Sequence, residues 1–236
     1  MNRGENKTLQ SFWIGIGSAS SFLMAIASAA ILSRFLDKAQ YGAYRQILYV
    51  YGSLVVIFAA GLPNVFSYYL PRLSLAEGKA TVFRVGGLLF LMGSMFTLTL
   101  FTLSDFIAHI LKSRDLAMGL KVFSPIPMLM LPAMGIEDIF ASYKKTFYVA
   151  IFNIITKTVT LLSIVMPVVI FGNHYLYAIY GWLLASIGTF FVAMFFKSIP
   201  FAGVAVSNTG PKTKEIFAYS LPILLASIAG MAIGAA

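Results

Sequence analysis

Polar side chains inside an apolar segment are where this sequence could do chemistry, because burying them in hydrocarbon is costly unless they face a partner or water. Between residues 146 and 171, Asn153, Thr156, Lys157, Thr160 and Ser163 recur at spacings of three and four, which places all five on one face of a helix. Lys157 lies about 11 residues into that segment, roughly 16 Å deep at ~1.5 Å per residue, close to the centre of a bilayer and too deep to snorkel comfortably. A cation on a face of hydroxyls and an amide suits the capture of an anionic group in a water-filled cavity. The same residues allow a second reading. Ser, Thr and Asn also join neighbouring helices by hydrogen bonds, and Lys157 could pair with Glu137 or Asp138 near the inner end of the preceding segment. A structural ion pair sits more cheaply at the interface than at the midplane, which favours the cavity.

Other chemistry finds little support. The chain has no cysteine, which excludes disulfides, cysteine-ligated zinc and thiol catalysis. His109 and His174 fall near predicted helix ends with no motif spacing to carboxylates, and read as interfacial residues. No catalytic, metal or cofactor residue is expected. Gly86 and Gly87 follow Arg84, but no Lys-Ser/Thr signature accompanies them, so they read as helix-packing positions and not as a nucleotide loop. A membrane glycosyltransferase would want carboxylates in a surface loop, and Asp105 and Asp115 are too sparse for one.

The elements that must position these residues are membrane helices. Of the 236 residues 59% are hydrophobic and only 11% charged, and mean hydropathy is +0.87. A soluble domain would carry about 25% charged residues. Apolar runs at 11–33, 46–71, 85–104 and 175–196 are free of charge. A run at 116–141 is interrupted by Lys121, Pro125, Pro127 and Pro132, one at 146–171 holds Lys157, and a seventh begins near Ile216 and continues to Ala236. Each has about the 20 residues a crossing requires. The first run is too long for a signal peptide, and continuous runs do not fit the alternation of barrel strands. Gly17, Ser21, Ala25, Ala29 and Ser33 repeat every fourth residue of the first run and read as a helix-packing face. The expected fold is all-α: a polytopic transmembrane bundle with a six-helix lobe over 1–200, then a cytoplasmic linker and one further helix over 201–236.

Short loops rich in Lys and Arg tend to remain cytoplasmic. With the N-terminus inside, Arg3, Lys7, Arg72, Lys79, Arg84, Lys144, Lys145, Lys197, Lys212 and Lys214 fall on the cytoplasmic side. Arg34, Lys38, Arg45, Lys112, Arg114 and Lys121 fall outside, so ten cations oppose six. The formal charge of +9 thus reads as topology and contact with anionic membrane lipid, with no nucleic-acid motif.

The connections carry a family resemblance. Arg34-Phe35-Leu36-Asp37-Lys38-Ala39-Gln40-Tyr41-Gly42-Ala43-Tyr44 resembles the Arg-x-Leu and Tyr-Gly-x-Tyr connection of polysaccharide and O-antigen flippases. Gly61-Leu62-Pro63-Asn64, Tyr68-Tyr69-Leu70-Pro71-Arg72 and Ile216-Phe217-Ala218-Tyr219-Ser220-Leu221-Pro222 are also similar to that family, which lies within the multidrug/oligosaccharidyl-lipid/polysaccharide (MOP) superfamily. The resemblance implies export without covalent chemistry. A sugar on a polyprenyl pyrophosphate crosses the cytoplasmic membrane for surface polysaccharide synthesis while two lobes rock about a central cavity. For such a substrate Lys157 is the first candidate cation for the diphosphate, Arg34 and Arg45 flank the outer mouth and could receive it there, Asn64, Asn153 or nearby tyrosines would meet the sugar, and Thr160 completes the expected substrate-binding residues. Members have two lobes of about six helices, so the expectation is an N-terminal lobe that needs a second lobe or a second copy of itself. The apolar ending Gly234-Ala235-Ala236 favours a longer reading frame. A cation-coupled multidrug extruder of the same superfamily and a non-transporting membrane scaffold remain as alternatives. The first would be expected to bury carboxylates, and the second needs no cavity.

Overall fold

In a bilayer every backbone N–H and C=O must find a partner within the protein, and a helix meets that demand along its own length. The computed structural model describes residues 7–207 and 209–234, and the described residues form helices and turns without strands. The order is α1 (Lys7–Phe35), α2 (Lys38–Ala59), α3 (Asn64–Tyr69), a 3-10 turn at Leu70–Arg72, α4 (Leu75–Ile110), α5 (Arg114–Phe123), α6 (Ile126–Ala133), α7 (Ile136–Ser142), α8 (Thr146–Phe171), α9 (Tyr175–Ser198), a second 3-10 turn at Ile199–Phe201, and α10 (Thr213–Gly234). Among the described residues α1, α2, α4, α8, α9 and α10 are each long and apolar enough to cross a membrane.

A seventh crossing is built from pieces. Asp115–Phe123 and Ile126–Ser142 meet at a bend of 47°. Contacts at the two ends of the bundle show that the pair runs from one end to the other. Where α5 begins, the Tyr175 hydroxyl donates to the Asp115 carbonyl and the Tyr175 amide donates to Gln40 Oε1 at 2.9 Å. Where α7 ends, the Tyr143 ring packs edge-on against Phe201, 5.6 Å away. At that same end Lys79 Nζ donates to the Val204 carbonyl at 2.6 Å. The α1–α2, α4–α5 and α8–α9 connections therefore share one end, and the α3–α4, α7–α8 and α9–α10 connections share the other.

Several sequence expectations are corrected here. The run at 46–71 is not one helix: α2 stops at Ala59, and Ala60 and Gly61 take positive φ of 50° and 66° before Pro63 starts the short α3. A side chain at Gly61 would meet the Ser220 carbonyl at 2.5 Å, so the break lets α10 approach. The run at 85–104 is the middle of a 36-residue helix about 54 Å long, longer than the ~30 Å hydrocarbon layer. Its first turn projects behind a capping box in which Ser74 and Glu77 satisfy each other's backbone amides. The run at 116–141 is three helices, separated where Pro125 leaves the ladder without a donor and where Gly135 takes φ of +81°. A Cβ at Gly135 would also lie 2.4 Å from the Phe66 ring, so no other residue fits there. Arg3 and Ala235–236 lie outside the described residues.

Lys197, read from sequence as a loop cation, lies instead in the last turn of α9 and is buried. Its ammonium donates to the carbonyls of Pro132 at 2.6 Å and Met134 at 2.7 Å, and lies 5.3 Å from the centre of the Phe66 ring. Those carbonyls belong to the α6–α7 break, where no helical amide can reach them. Replacing Lys197 by Met strips both of their donor at roughly 1–3 kcal/mol each. Lys197→Met is expected to lower the thermal unfolding midpoint in detergent by at least about 5 °C, and an unchanged midpoint would show that the break does not depend on this lysine.

Candidate functional site

Glycine sets how closely the helices around α8 approach. A Cβ at Gly181 of α9 would lie 1.9 Å from the Ser163 carbonyl of α8, and one at Gly17 of α1 would lie 3.4 Å from Ala150 Cα. Gly17 thus acts as the packing position expected of it. Ser21, Ala25 and Ala29, on the same face one to three turns further along, instead leave room for a cavity.

Two cavities flank Lys157. The first, of about 180 Å³, lies among α1, α2, α8 and α9 and is lined by Ser21, Tyr41, Tyr44, Arg45, Lys157, Thr160 and Trp182, among others. The second, of about 130 Å³, lies among α6, α8 and α9 and is lined by Met130, Met134, Thr156, Lys157, Thr160, Trp182, Ser186 and Thr189, among others. Lys157, Thr160 and Trp182 line both. Measured along the helices at ~1.5 Å per residue, Lys157 is about 21 Å and Arg45 about 10 Å from the end shared by the α1–α2 and α8–α9 connections, which sets two cations at different depths of one wall.

The hydroxyls of this wall are held by their own helices. Thr160 Oγ1 donates to the Thr156 carbonyl at 2.7 Å, and Thr156 Oγ1 to the Phe152 carbonyl at 2.7 Å. Each keeps its lone pairs for a ligand. Trp182 Nε1 donates to the Tyr44 hydroxyl at 3.0 Å and fixes both rings at the junction of the two cavities. Among the described residues no carboxylate lines either cavity, and the ion pair found is Lys121 with Asp105 at 2.9 Å. Lys157 does not pair with Glu137 or Asp138.

The sequence-derived residues therefore divide. Lys157, Thr160 and Arg45 come together on one cavity. Asn153 lies one turn below it, buried, with its amide donating to Glu137 Oε1 at 2.8 Å and Gly17 packed against it. Ser163 sits at the Gly181 contact. Arg34 is exposed in the last turn of α1, and Asn64 is exposed at the start of α3 near the opposite end. Sequence reasoning missed Trp182, Ser186 and Thr189. Their spacing of four and three on α9 was the available signal, the same that revealed the α8 stripe.

The family described as polysaccharide biosynthesis protein matches residues 9–234. The chain belongs to that family. No protein of curated function matches it. Two solved structures share the fold of this polysaccharide biosynthesis family member. One is a MOP superfamily transporter from Pyrococcus furiosus whose binding pocket is described as of reverse polarity, and the other is a multidrug resistance MATE family transporter of the MOP superfamily in its outward-facing conformation. Each aligns with a TM-score of 0.77 at 16% identity over 94% of this chain and 52% of its own. The chain spans about half the length of these structures, and at that identity the likeness speaks to the fold alone.

Cations without partners add nothing to folding, whereas a buried hydrogen bond does. Lys157→Ala and Arg45→Ala are expected to leave the thermal midpoint unchanged or raised. Tyr44→Phe, which removes the acceptor for Trp182, should cost about 1 kcal/mol and lower it by roughly 2–4 °C. A loss of stability in the two cation variants equal to that in Tyr44→Phe would make the cations structural.

Proposed function

We propose that the chain is the N-terminal lobe of an exporter that carries lipid-linked oligosaccharide, a sugar on a polyprenyl pyrophosphate, across the cytoplasmic membrane for surface polysaccharide assembly. Transport is by alternating access and involves no covalent step. The observation that carries this reading is the placing of Lys157 and Arg45 on one cavity wall with no carboxylate among the described residues that line it. A diphosphate needs cations in a partly desolvated space, where one charge pair at about 4 Å is worth roughly 4 kcal/mol at an effective dielectric near 20. The isoprenoid tail can remain in lipid beside the bundle, since only the head needs the cavity. The hydroxyls of Thr156, Thr160, Ser186 and Thr189 and the rings of Tyr41, Tyr44 and Trp182 offer a sugar both hydrogen bonds and stacking surfaces.

Family membership supports the polysaccharide context, and the fold shared with MOP superfamily transporters supports movement of a solute between two lobes. In this reading residues 1–200 form one lobe, the linker and α10 lead into a second, and the second lobe or a second copy closes the cavity. In this reading the end bearing Lys79, Lys144, Lys145 and Lys212 is cytoplasmic, with the N-terminus there too, an orientation that its cation excess supports. Lys157 holds the diphosphate at mid-depth, Arg45 takes it towards the outer face, and Arg34 attracts it at the exit. Asn64 and Asn153 serve sugar or wall at the inner end. A cation-coupled extruder would present a carboxylate to the cavity, and Glu137 is instead held by Asn153.

Complementation of surface polysaccharide export with the full reading frame tests this assignment. Lys157→Ala and Arg45→Ala should each reduce export about tenfold or more, equivalent to ~1.4 kcal/mol or above, at normal membrane levels. Arg34→Ala should have the smaller effect. Unchanged export with Lys157→Ala would remove that residue from the mechanism, and failure of the unaltered reading frame to restore export would remove the function.

A further inference from the structure

Two adjacent glycines in the middle of a long helix need a reason, because each costs about 1 kcal/mol relative to Ala. Elsewhere in α4 the reason is packing: a Cβ at Gly93 would lie 2.8 Å from the Pro127 carbonyl. At Gly86 and Gly87 the described residues offer no such neighbour, and none comes within 4 Å of where their Cβ atoms would be. The packing role read from sequence is thereby corrected. The missing side chains form part of a groove of about 830 Å³ between α4, α9 and the turn after α9, a volume in the range of ~300–1,000 Å³ that holds small-molecule ligands.

The groove has two chemically distinct parts. Its length is apolar, with Phe90, Phe190 and Met194 along it, and its lips, Phe83 and Phe195, are 65% and 66% exposed at the surface of the bundle. Lys79 and Lys197 lie at the end near the α9–α10 linker. Lys79 spends one N–H on the Val204 carbonyl and keeps two. Lys197 is committed to Pro132 and Met134, which leaves Lys79 as the cation with donors to offer. Among the described residues no carboxylate lines the groove, and Glu77, the acid closest to Lys79 in sequence, is tied to Ser74.

We propose that this groove is a binding site for one anionic phospholipid, with an acyl chain lying over Gly86 and Gly87 and the phosphate at Lys79. The occupant is argued from the two parts together: only hydrocarbon fits apolar walls open to the bilayer core, and only an anionic head complements the lysines at the interfacial end. The groove is separate from the site around Lys157. Pro132 and Phe190 line the groove while their neighbours Ala133 and Thr189 line the second cavity, so the packed α6–α9 contact divides them. A lipid held here is a resident of the leaflet and not a substrate on its way to Lys157.

Native mass spectrometry of the intact chain released from mild detergent, with phosphatidylglycerol, phosphatidylcholine or polyprenyl phosphate added, tests the site. The unaltered protein should retain one phosphatidylglycerol with at least about tenfold preference over phosphatidylcholine. Gly87→Leu, whose Cβ would have no protein atom of the described residues within 4 Å and whose side chain would project into the groove, should abolish that retention with an unchanged thermal midpoint. Should it lower the midpoint, Gly86→Leu takes its place. Lys79→Gln should erase the preference between the two phospholipids. Equal retention in the leucine variant, no preference in the unaltered protein, or displacement of phosphatidylglycerol by polyprenyl phosphate would each overturn the proposal.

Discussion

Everything in this bundle follows from the demand that no backbone carbonyl face hydrocarbon alone. Uninterrupted helices meet it by themselves. The α5–α7 crossing does not, since Pro125, Pro127 and Pro132 remove donors and Gly135 turns the chain out of the helix. Lys197, from a neighbouring helix, supplies donors to the Pro132 and Met134 carbonyls left at the Gly135 break, with its ammonium end over the face of Phe66 in place of a carboxylate. That one side chain lets a broken span exist inside the membrane, and the broken span in turn brings Met130 and Met134 to the wall opposite Lys157.

The second requirement is close approach without collapse. Gly181 and Gly17 let α9 and α1 touch the backbone of α8, which fixes the rotation of α8 and so the direction of its polar face. Beyond those contacts the same face of α1 carries Ser21, Ala25 and Ala29, too small to fill the space they leave. Packing and cavity thus alternate along one helix, and residue size decides which occurs at each turn. The opposite faces of α4 and α8 expose Phe101, Leu98, Leu162 and Ile170 to lipid, where burial inside the protein would gain nothing.

The sequence showed the number of crossings and the α8 stripe, because hydropathy and helical spacing are local properties. The limits of α8 coincide with the apolar run, and Lys157 and Thr160 face a cavity as the spacing required. What was not legible depended on other helices. The break after Ala59 had a local signal in Gly61 and Pro63, but the reason for it appears only once α10 is seen pressing on Gly61. Lys197 looked like a loop cation because the turn after α9 continues it by only three residues, and nothing local reveals that it bends inward to Pro132. Gly86 and Gly87 looked like packing because glycine within a helix is usually explained by a neighbour, and here there is none. Asn153 shares the spacing of the stripe, yet its partner, Glu137, comes from the broken span.

The account rests on the wall around Lys157 being wet and reached by a lipid-linked diphosphate sugar. The absence of native cysteine allows a direct measurement: Lys157→Cys, labelled in membranes with a small water-soluble thiol reagent, with and without polyprenyl-pyrophosphate oligosaccharide. The account predicts labelling that the lipid-linked sugar blocks. Labelling in neither condition would mean a dry packing interface, and labelling that the sugar leaves untouched would mean a cavity that serves something else.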